Sequence, residues 1–438
     1  LALFKSAWCL WRLGRSEEAA KRFVGVFEVT DSNKVQGESK KKQLDELQAE
    51  VLKYLVEVFT EDEKNTASDV YGFLTKIGGD RFAGKVVRAL ATQFYDQAHY
   101  ERGIEAYELL LKLEPTSPDA GRWVLQIADG QATLEDWPKL RNTYARALAG
   151  YTTGSSWSKA QGDPQNVADT QKQIETHLRE HALQLHAKGQ KDKSRTELEG
   201  AAGLYEVYLS KFAQEKNAYQ IEFYVGEIQF HRLGKNTEAA THYMAAARGI
   251  PQSEANVEPQ KTLRHDALYN AIAALERVRV TELEARKGKP QGAYQETEAD
   301  KKFAEALELY AQLYPQDPAL PELLFRQGRL YYDYGVYDPA VKILGSLVEK
   351  FPNSQFSQGA GELILDSFNK SKNYENIEVW ARRLKATPSF ASAAQQARLD
   401  TLIVQAVFKQ GEQRSAANDH AGAAQAYLRA AREFPKDP

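Results

Sequence analysis

The chain has 438 residues, of which 42% are hydrophobic, and its 57 basic and 60 acidic residues give a net charge of −3 at pH 7. This length exceeds the roughly 100 to 200 residues of a typical compact domain, but an array of repeats escapes that limit because each repeat contacts only its neighbours. The balanced charge argues against a nucleic-acid partner and against an anionic membrane surface.

Three features of the sequence concern the cellular compartment of the protein: its cysteine content, its hydropathy and its first residue. Cys9 is the only cysteine, so no internal disulfide can form, and low cysteine content is compatible with cytoplasm or periplasm. No run of 18 apolar residues occurs, so the sequence predicts no membrane-spanning helix. The sequence begins at Leu1, and its only methionine is Met244. We therefore expect the natural start, with any targeting signal, to lie upstream.

Helical pairs with small residues at regular spacing recur from the beginning of the chain. The first pair carries small and apolar side chains at Leu10, Gly14, Ala19, Phe23 and Val26. A polar segment at 29–44 is predicted to be a loop. Further pairs are predicted over 44–77, 90–115 and 119–148.

Residues 151–165 interrupt this pattern with Gly, Ser, Thr and Pro. Such a composition indicates an inter-repeat loop. We place it between an N-terminal array at 1–150 and a C-terminal array at 166–438 that continues the first. Two long helices are predicted directly after it, over 166–188 and 192–212.

The second half of the chain returns to the same spacing. Its predicted pairs lie at 226–251, at 324–352, at 368–384 and at 411–435. One more pair, which ends near Pro315, is stretched by a polar insertion at 286–297.

The pair at 324–352 has the clearest pattern. Gly328 and Ala340 stand where two helices must touch, Gly335 stands at the bend, where a positive φ costs glycine little, and Pro352 ends the second helix. This spacing resembles the tetratricopeptide repeat (TPR), a helix-turn-helix unit of about 34 residues. Gln327, where the repeat usually has leucine, is a departure.

The resemblance implies an all-α fold, a right-handed superhelical solenoid of about ten TPR-like helix pairs with a concave groove. In TPR proteins the first helix of each pair lines that groove and binds protein partners. The residues at the corresponding positions here are Arg88, Tyr95, Tyr224, His231, Phe325, Arg329, Tyr332, Asp366 and Asn369. This mixture of aromatic, basic and acidic groups suits an extended protein surface, with tyrosine and arginine as anchors.

One segment has a catalytic pattern. His177, Glu180 and His181 form the H-x-x-E-H arrangement of inverted zinc peptidases, in which two histidines bind zinc and a glutamate acts as the base. The charged residues around it are more typical of a surface helix. The phosphate-binding loop, the dinucleotide fingerprint and the nucleophile elbow are all absent from the sequence. We therefore predict a protein that is not an enzyme and has no metal or cofactor, and a zinc hydrolase is the alternative from another class.

The turn Phe351-Pro352-Asn353-Ser354 and its variants at 314–318 and 434–438 resemble the inter-repeat turns of bacterial envelope TPR proteins. These include outer-membrane barrel-assembly lipoproteins, the periplasmic cell-division coordinator and TPR components of gliding-motility machinery. The resemblance implies a non-enzymatic scaffold in the periplasm or cell envelope, within a larger assembly. A cytoplasmic TPR regulatory adaptor is the alternative.

Overall fold

The structure, a computed structural model, describes residues 1–30, 38–62, 64–286 and 296–435. Within these ranges every regular element is a helix, which confirms the predicted all-α fold. The chain divides into two compact units, unit 1 at residues 1–234 and unit 2 at residues 235–438. The division into arrays at 1–150 and 166–438 stays a prediction.

The described part of unit 1 contains twelve α-helices, and their facing sides bury apolar side chains such as Phe23, Leu90, Tyr144 and Tyr205. Most helices pack against the next helix along the chain. The helices are α1 (Ala2–Arg12), α2 (Ser16–Val29), α3 (Glu38–Thr60), α4 (Ala67–Lys76), α5 (Ala83–Asp96), α6 (Tyr100–Leu113), α7 (Ala120–Thr133), α8 (Trp137–Gly150), α9 (Ser156–Ala160), α10 (Pro164–Asp192), α11 (Arg195–Phe212) and α12 (Ala218–Ile228).

The described part of unit 2 contains nine α-helices built in the same way. Tyr243, Tyr310, Leu344 and Ile403 belong to its buried core. The helices are α13 (Asn236–Gly249), α14 (Gln260–Arg286), α15 (Glu298–Leu313), α16 (Leu320–Asp333), α17 (Tyr337–Lys350), α18 (Ser357–Lys370), α19 (Tyr374–Lys385), α20 (Ala393–Ala416) and α21 (His420–Glu433).

The pair α16 and α17 packs at the small residues that the sequence indicated. A Cβ on Gly328 would lie 2.5 Å from the side chain of Leu344 on α17, so a larger residue would separate the two helices. Leu344 and Ala340 are fully buried, and burial of one leucine side chain contributes about 1.5–3 kcal/mol to stability. The bend is made by Gly335, whose φ is +75°.

The bend at Gly335 has counterparts after other helices. The backbone N–H of Val336 donates to the carbonyl of Tyr331 at 3.0 Å, as in a Schellman motif. The equivalent bond follows α5, from His99 to Phe94, at 2.8 Å. The left-handed residues after helices in the described chain include Gly14, Ala98, Glu135, Lys193, Gly234, Gly335, Lys372 and Asn418. The same turn is therefore built with and without glycine.

One polar segment differs from the sequence expectation, and a second lies mostly outside the described residues. Helix α2 ends at Val29 and α3 begins at Glu38, so the predicted loop at 29–44 is wrong at residue 29 and over 38–44. The charged residues at 38–44 occupy the first turns of an amphipathic helix. Residues 31–37 of that loop lie outside the described chain. Of the insertion at 286–297, Arg286 ends α14 and Thr297 caps α15, and residues 287–295 also lie outside it.

The predicted inter-repeat loop at 151–165 contains a one-turn helix, α9, that packs on unit 1. Trp157 is 4% exposed, and its indole N–H donates to the carbonyl of Ser117 at 2.7 Å. Gln161 donates to the carbonyl of Thr116 at 3.2 Å. The segment is therefore hydrogen-bonded to the turn between α6 and α7 and stabilises it.

Helix α20 is longer than its neighbours in unit 2. It spans 24 residues, whereas α16 and α18 span 14 each. It follows a 3-10 turn at Pro388–Phe390, and a capping box between Ser392 and Gln395 marks its start. The added turns lie before the part of α20 that aligns with the repeat.

None of the helices in the described residues combines the length and the apolar character that a membrane crossing requires.

Candidate functional site

In unit 1, Arg88 on α5 is held by two carboxylates and an indole. Its guanidinium nitrogens lie 3.3 Å from Glu114 Oε2 and 3.4 Å from Asp119 Oδ2, and its Cζ lies 5.0 Å from the centre of the Trp123 ring. The Arg88 side chain is 44% exposed. A partner could reach this cation, but would compete with carboxylates that already bind it.

Tyr95, two turns further along α5, joins three helices. Its hydroxyl donates to the backbone carbonyl of Gln126 on α7, and its ring meets that of Tyr107 edge-on at 5.5 Å. A Cβ on Gly130 would lie 2.3 Å from the Tyr95 hydroxyl oxygen. Burial raises the pKa of Tyr95. These contacts give Tyr95 a packing role, and its part in partner binding stays a prediction.

The histidines of the H-x-x-E-H segment on α10 face a carboxylate of α7. His177 Nδ1 lies 3.5 Å and His181 Nε2 lies 3.6 Å from Asp129 Oδ1, and the hydroxyl of buried Tyr144 lies 2.6 Å from His181 Nδ1. The hydrogen bond with Asp129 raises the pKa of His177, whereas burial lowers the pKa of His181.

This cluster does not have the geometry of a zinc site. No group of three or more His, Cys, Asp or Glu side chains in the described residues is arranged to hold a metal ion. His181 uses one ring nitrogen for the Tyr144 hydroxyl. The geometry therefore gives the zinc-hydrolase alternative no support, and the histidines have an evident structural role between α7, α8 and α10.

Tyr224 on α12 and His231 in the turn after that helix lie in unit 1. The Tyr224 ring lies 5.5 Å from that of His186, between centroids. The helix ends in a π-helical turn at Gln229–Leu233, an irregularity often found at functional sites. Exposed His231 and buried His186 line one pocket of about 340 Å³, and burial lowers the pKa of His186.

In unit 2, Phe325 and Arg329 lie one turn apart on α16. The Phe325 ring packs at 5.5 Å from that of Phe356, so it is partly engaged in the contact with the next pair. Arg329 is 63% exposed, and its Nε lies 3.8 Å from Asp333 Oδ2. This loose, exposed ion pair contributes little to stability and leaves the Arg329 cation available.

Tyr332 on α16 and Asp366 on α18 contact each other directly. The Tyr332 hydroxyl donates to Asp366 Oδ2 and accepts from Lys370 Nζ. Lys370 Nζ also lies 2.9 Å from Asp366 Oδ2 and 4.4 Å from the centre of the Tyr332 ring. The hydrogen bond from Tyr332 lowers the pKa of the Asp366 carboxyl group. Phenol, carboxylate and ammonium thus form one polar group across the two helices.

Asp366 and Asn369 also line a pocket between α18 and α20. Its volume is about 260 Å³. Sequence reasoning missed Arg398, which lines this pocket, and Lys370, which pairs with Asp366. Lys370 could have been found because it follows Asp366 by four residues on one helix face. No spacing signal marked Arg398, since it lies in the added turns of α20.

The structure therefore brings some of the predicted residues together within each unit. Phe325, Arg329, Tyr332, Asp366 and Asn369 share the side of unit 2 formed by α16 and α18, hereafter the α16–α18 surface. Arg88 and Tyr95 lie on α5, whereas Tyr224 lies on α12 and His231 lies in the π-helical turn after it.

Residues 322–354, which cover nearly all of α16, the whole of α17 and the turn after them, match the tetratricopeptide repeat family. No curated protein matches the chain. Similar solved structures include the P58(IPK) TPR domain, 12% identical with a TM-score of 0.24, where the match covers 88% of this chain and 92% of that one.

Two further solved structures are similar at the same level. Naa15/Naa10 bound to HypK-THB is 14% identical with a TM-score of 0.28, covering 100% of this chain and 64% of that one. The APC/C hetero-tetramer Cut9-Hcn1 is 12% identical with a TM-score of 0.24, and the match covers 97% of this chain and 95% of that one. The family match, together with the close packing at Gly328, identifies the α16–α17 pair as a tetratricopeptide repeat.

Proposed function

We propose that the chain is a non-enzymatic scaffold that binds protein partners, and that the α16–α18 surface of unit 2 is one of its binding surfaces. The observation that carries this proposal is the group formed by Tyr332, Asp366 and Lys370, next to the exposed cation of Arg329. Tyrosine and arginine are, with tryptophan, the side chains most enriched at the energetic centres of protein interfaces. The tetratricopeptide repeat match at 322–354 supports the same function.

The chemistry of this surface favours a protein over a small metabolite. Its charges alternate in sign along the two helices, from Arg329 and Asp333 on α16 to Asp366 and Lys370 on α18. Alternating charges fix the register of an extended partner and contribute more to specificity than to affinity. The partly buried Tyr332 ring supplies apolar contact area beside them.

For the compartment, we propose the periplasm or cell envelope of a bacterium, within a larger assembly. The support is the resemblance of the turns at 314–318, 351–354 and 434–438 to those of envelope TPR proteins. A cytoplasmic adaptor is the alternative. Fractionation of the source cells, with protease added to intact spheroplasts, separates the two: an envelope protein is released with the periplasmic fraction or degraded from outside, and a cytoplasmic one is retained and protected.

The binding surface is tested by affinity capture from the source cells, with identification of the captured proteins by mass spectrometry. We expect Arg329→Glu combined with Tyr332→Ala to lose at least one partner that the wild type retains. Lys342→Glu, an equal charge reversal at an exposed position of α17, is the matched control and should retain it. If the double variant keeps its helical circular dichroism and captures the same proteins as wild type, the α16–α18 surface is not a binding surface.

A further inference from the structure

The pocket between α18 and α20 exists because α20 is longer than a regular repeat helix. Its extra N-terminal turns carry Arg398, Leu399 and Leu402, and the 3-10 turn before it contributes Phe390. These residues face Leu365 and Asp366 across the pocket. The 14-residue helices α16 and α18 have no such extension, so the pocket is a departure from the repeat pattern.

The floor of the pocket is part of the apolar core of unit 2. Leu365, Ile377, Phe390 and Leu399 are each at most 8% exposed, and half-buried Leu402 forms one wall. A volume of about 260 Å³ falls below the roughly 300–1,000 Å³ of typical small-molecule sites. The pocket therefore suits one or two side chains of a partner better than a whole ligand.

The rim of the pocket is polar, and one of its two carboxylates, Asp366, is already paired with Lys370. Glu362 and Asp366 supply two carboxylates, and Arg398 supplies one guanidinium. Glu362 Oε1 lies 3.4 Å from Arg398 Nη1, and these side chains are 42% and 68% exposed. Because so exposed an ion pair is worth little, Glu362 can exchange Arg398 for a cation of a partner.

We propose that this pocket binds an apolar side chain of an extended partner segment, with a lysine or arginine beside it that pairs with Glu362. The apolar side chain fills the space above Leu399 and Leu402, and Glu362 selects the neighbouring cation. This inference rests on the proposed scaffold function and adds the chemistry of the segment that the scaffold binds. The pocket adjoins the α16–α18 surface through Asp366, so one segment can contact both.

A library of random heptapeptides displayed on phage tests the proposal, by selection against the complete immobilised chain. We expect the enriched peptides to carry Leu, Ile, Phe or Met next to Lys or Arg. Leu402→Trp, which fills the pocket, should weaken their binding at least tenfold. Glu362→Lys should weaken the binding of these peptides comparably. A selection repeated against this variant should enrich peptides that carry Asp or Glu, in place of Lys or Arg, next to the apolar residue.

Val379→Trp is the matched control, because it places an equally large ring at an exposed apolar position of α19 away from this pocket. Binding by this variant should equal that of wild type. If Leu402→Trp lowers the helical circular dichroism, Gln405→Trp at the rim replaces it. Selection of no peptides, or of peptides that bind every variant equally, overturns the proposal.

One outcome separates the pocket from the scaffold function. Peptides or cellular partners that lose binding with Arg329→Glu and Tyr332→Ala, but retain it with Leu402→Trp and Glu362→Lys, would leave the α16–α18 surface in place and exclude the pocket.

Discussion

Arg279 Nε lies 2.6 Å from Asp300 Oδ1, and neither side chain has any surface exposed to solvent. Asp300 also caps α15, since its other oxygen accepts from the backbone N–H of Thr297 at 3.0 Å. The guanidinium lies 4.4 Å from the ring centre of Phe303 and 5.0 Å from that of Tyr331. One buried ion pair thus connects α14, α15 and α16.

Removal of one member of this pair should destabilise unit 2 strongly. Arg279→Met leaves the buried Asp300 carboxylate without its cation, and breaking a buried pair in this way costs about 3–5 kcal/mol. Arg279→Met combined with Asp300→Asn should cost less than Arg279→Met alone, because no uncompensated charge remains. The denaturant concentration at the unfolding midpoint measures both.

The control for this prediction is Arg329→Met, which removes an exposed arginine from α16. Its effect should remain within about 0.5 kcal/mol. Equal effects of the buried and the exposed substitution would contradict the importance of the Arg279–Asp300 pair.

His177 and His181 should contribute to stability with opposite dependence on pH. Asp129 raises the pKa of His177, so its contribution is fully present below the unfolded value of about 6.5 and is lost as pH rises through the folded pKa. Burial lowers the pKa of His181. The folded state therefore resists its protonation, and stability is lost as pH falls below about 6.5.

The measurement compares the free energy of unfolding of His177→Gln and His181→Gln with that of wild type, at about pH 5.5 and about pH 8, on either side of the unfolded pKa. His177→Gln should be more harmful at the lower pH, and His181→Gln more harmful at the higher pH. Titration of the imidazole protons by NMR checks the assignment directly, and Asp129→Asn should lower the pKa of His177. Equal pH dependence of the two glutamine variants would contradict the roles given to these histidines.

Substitutions to and from glycine at two left-handed turn residues should change the stability in opposite directions. Gly335 has φ +75°, and a Cβ there would meet only the Tyr337 hydroxyl, at 4.0 Å. Because no clash is introduced, Gly335→Ala measures only the cost of a positive φ for alanine. We expect it to cost about 1–2 kcal/mol. Ala98 has φ +58° in the same kind of turn, and Ala98→Gly should give a smaller gain, because glycine also makes the unfolded chain more flexible. Thermal midpoints that move in the same direction would contradict this account.

The packing of α16 against α17 could be predicted because its determinants are local. Gly328, Gly335 and Ala340 lie within thirteen residues of one another, and their spacing alone specifies where two helices can touch. The face shared by Tyr332 and Asp366 followed from the same spacing. The hydrogen bond between them did not, because it depends on how closely the two pairs stack.

Features that depend on departures from the repeat could not be predicted. Arg279 and Asp300 lie on either side of the insertion at 286–297, so no helical spacing relates them. The pocket beside Leu402 depends on added N-terminal turns of α20 that the 14-residue helices α16 and α18 do not have. Trp157 lies in a segment whose Gly and Ser content suggested only a loop, and a single aromatic residue gives no periodic signal.

The contact of Trp157 with Ser117 has a consequence for how this chain can be divided into fragments. A fragment that ends at residue 150 would lack the indole that covers the turn between α6 and α7, and the Ser117 carbonyl would lose its donor. The helices before residue 150 depend on a side chain that follows them in the sequence. Truncation of the chain before the loop-like segment at 151–165 would therefore remove a side chain that the folded helices before it need.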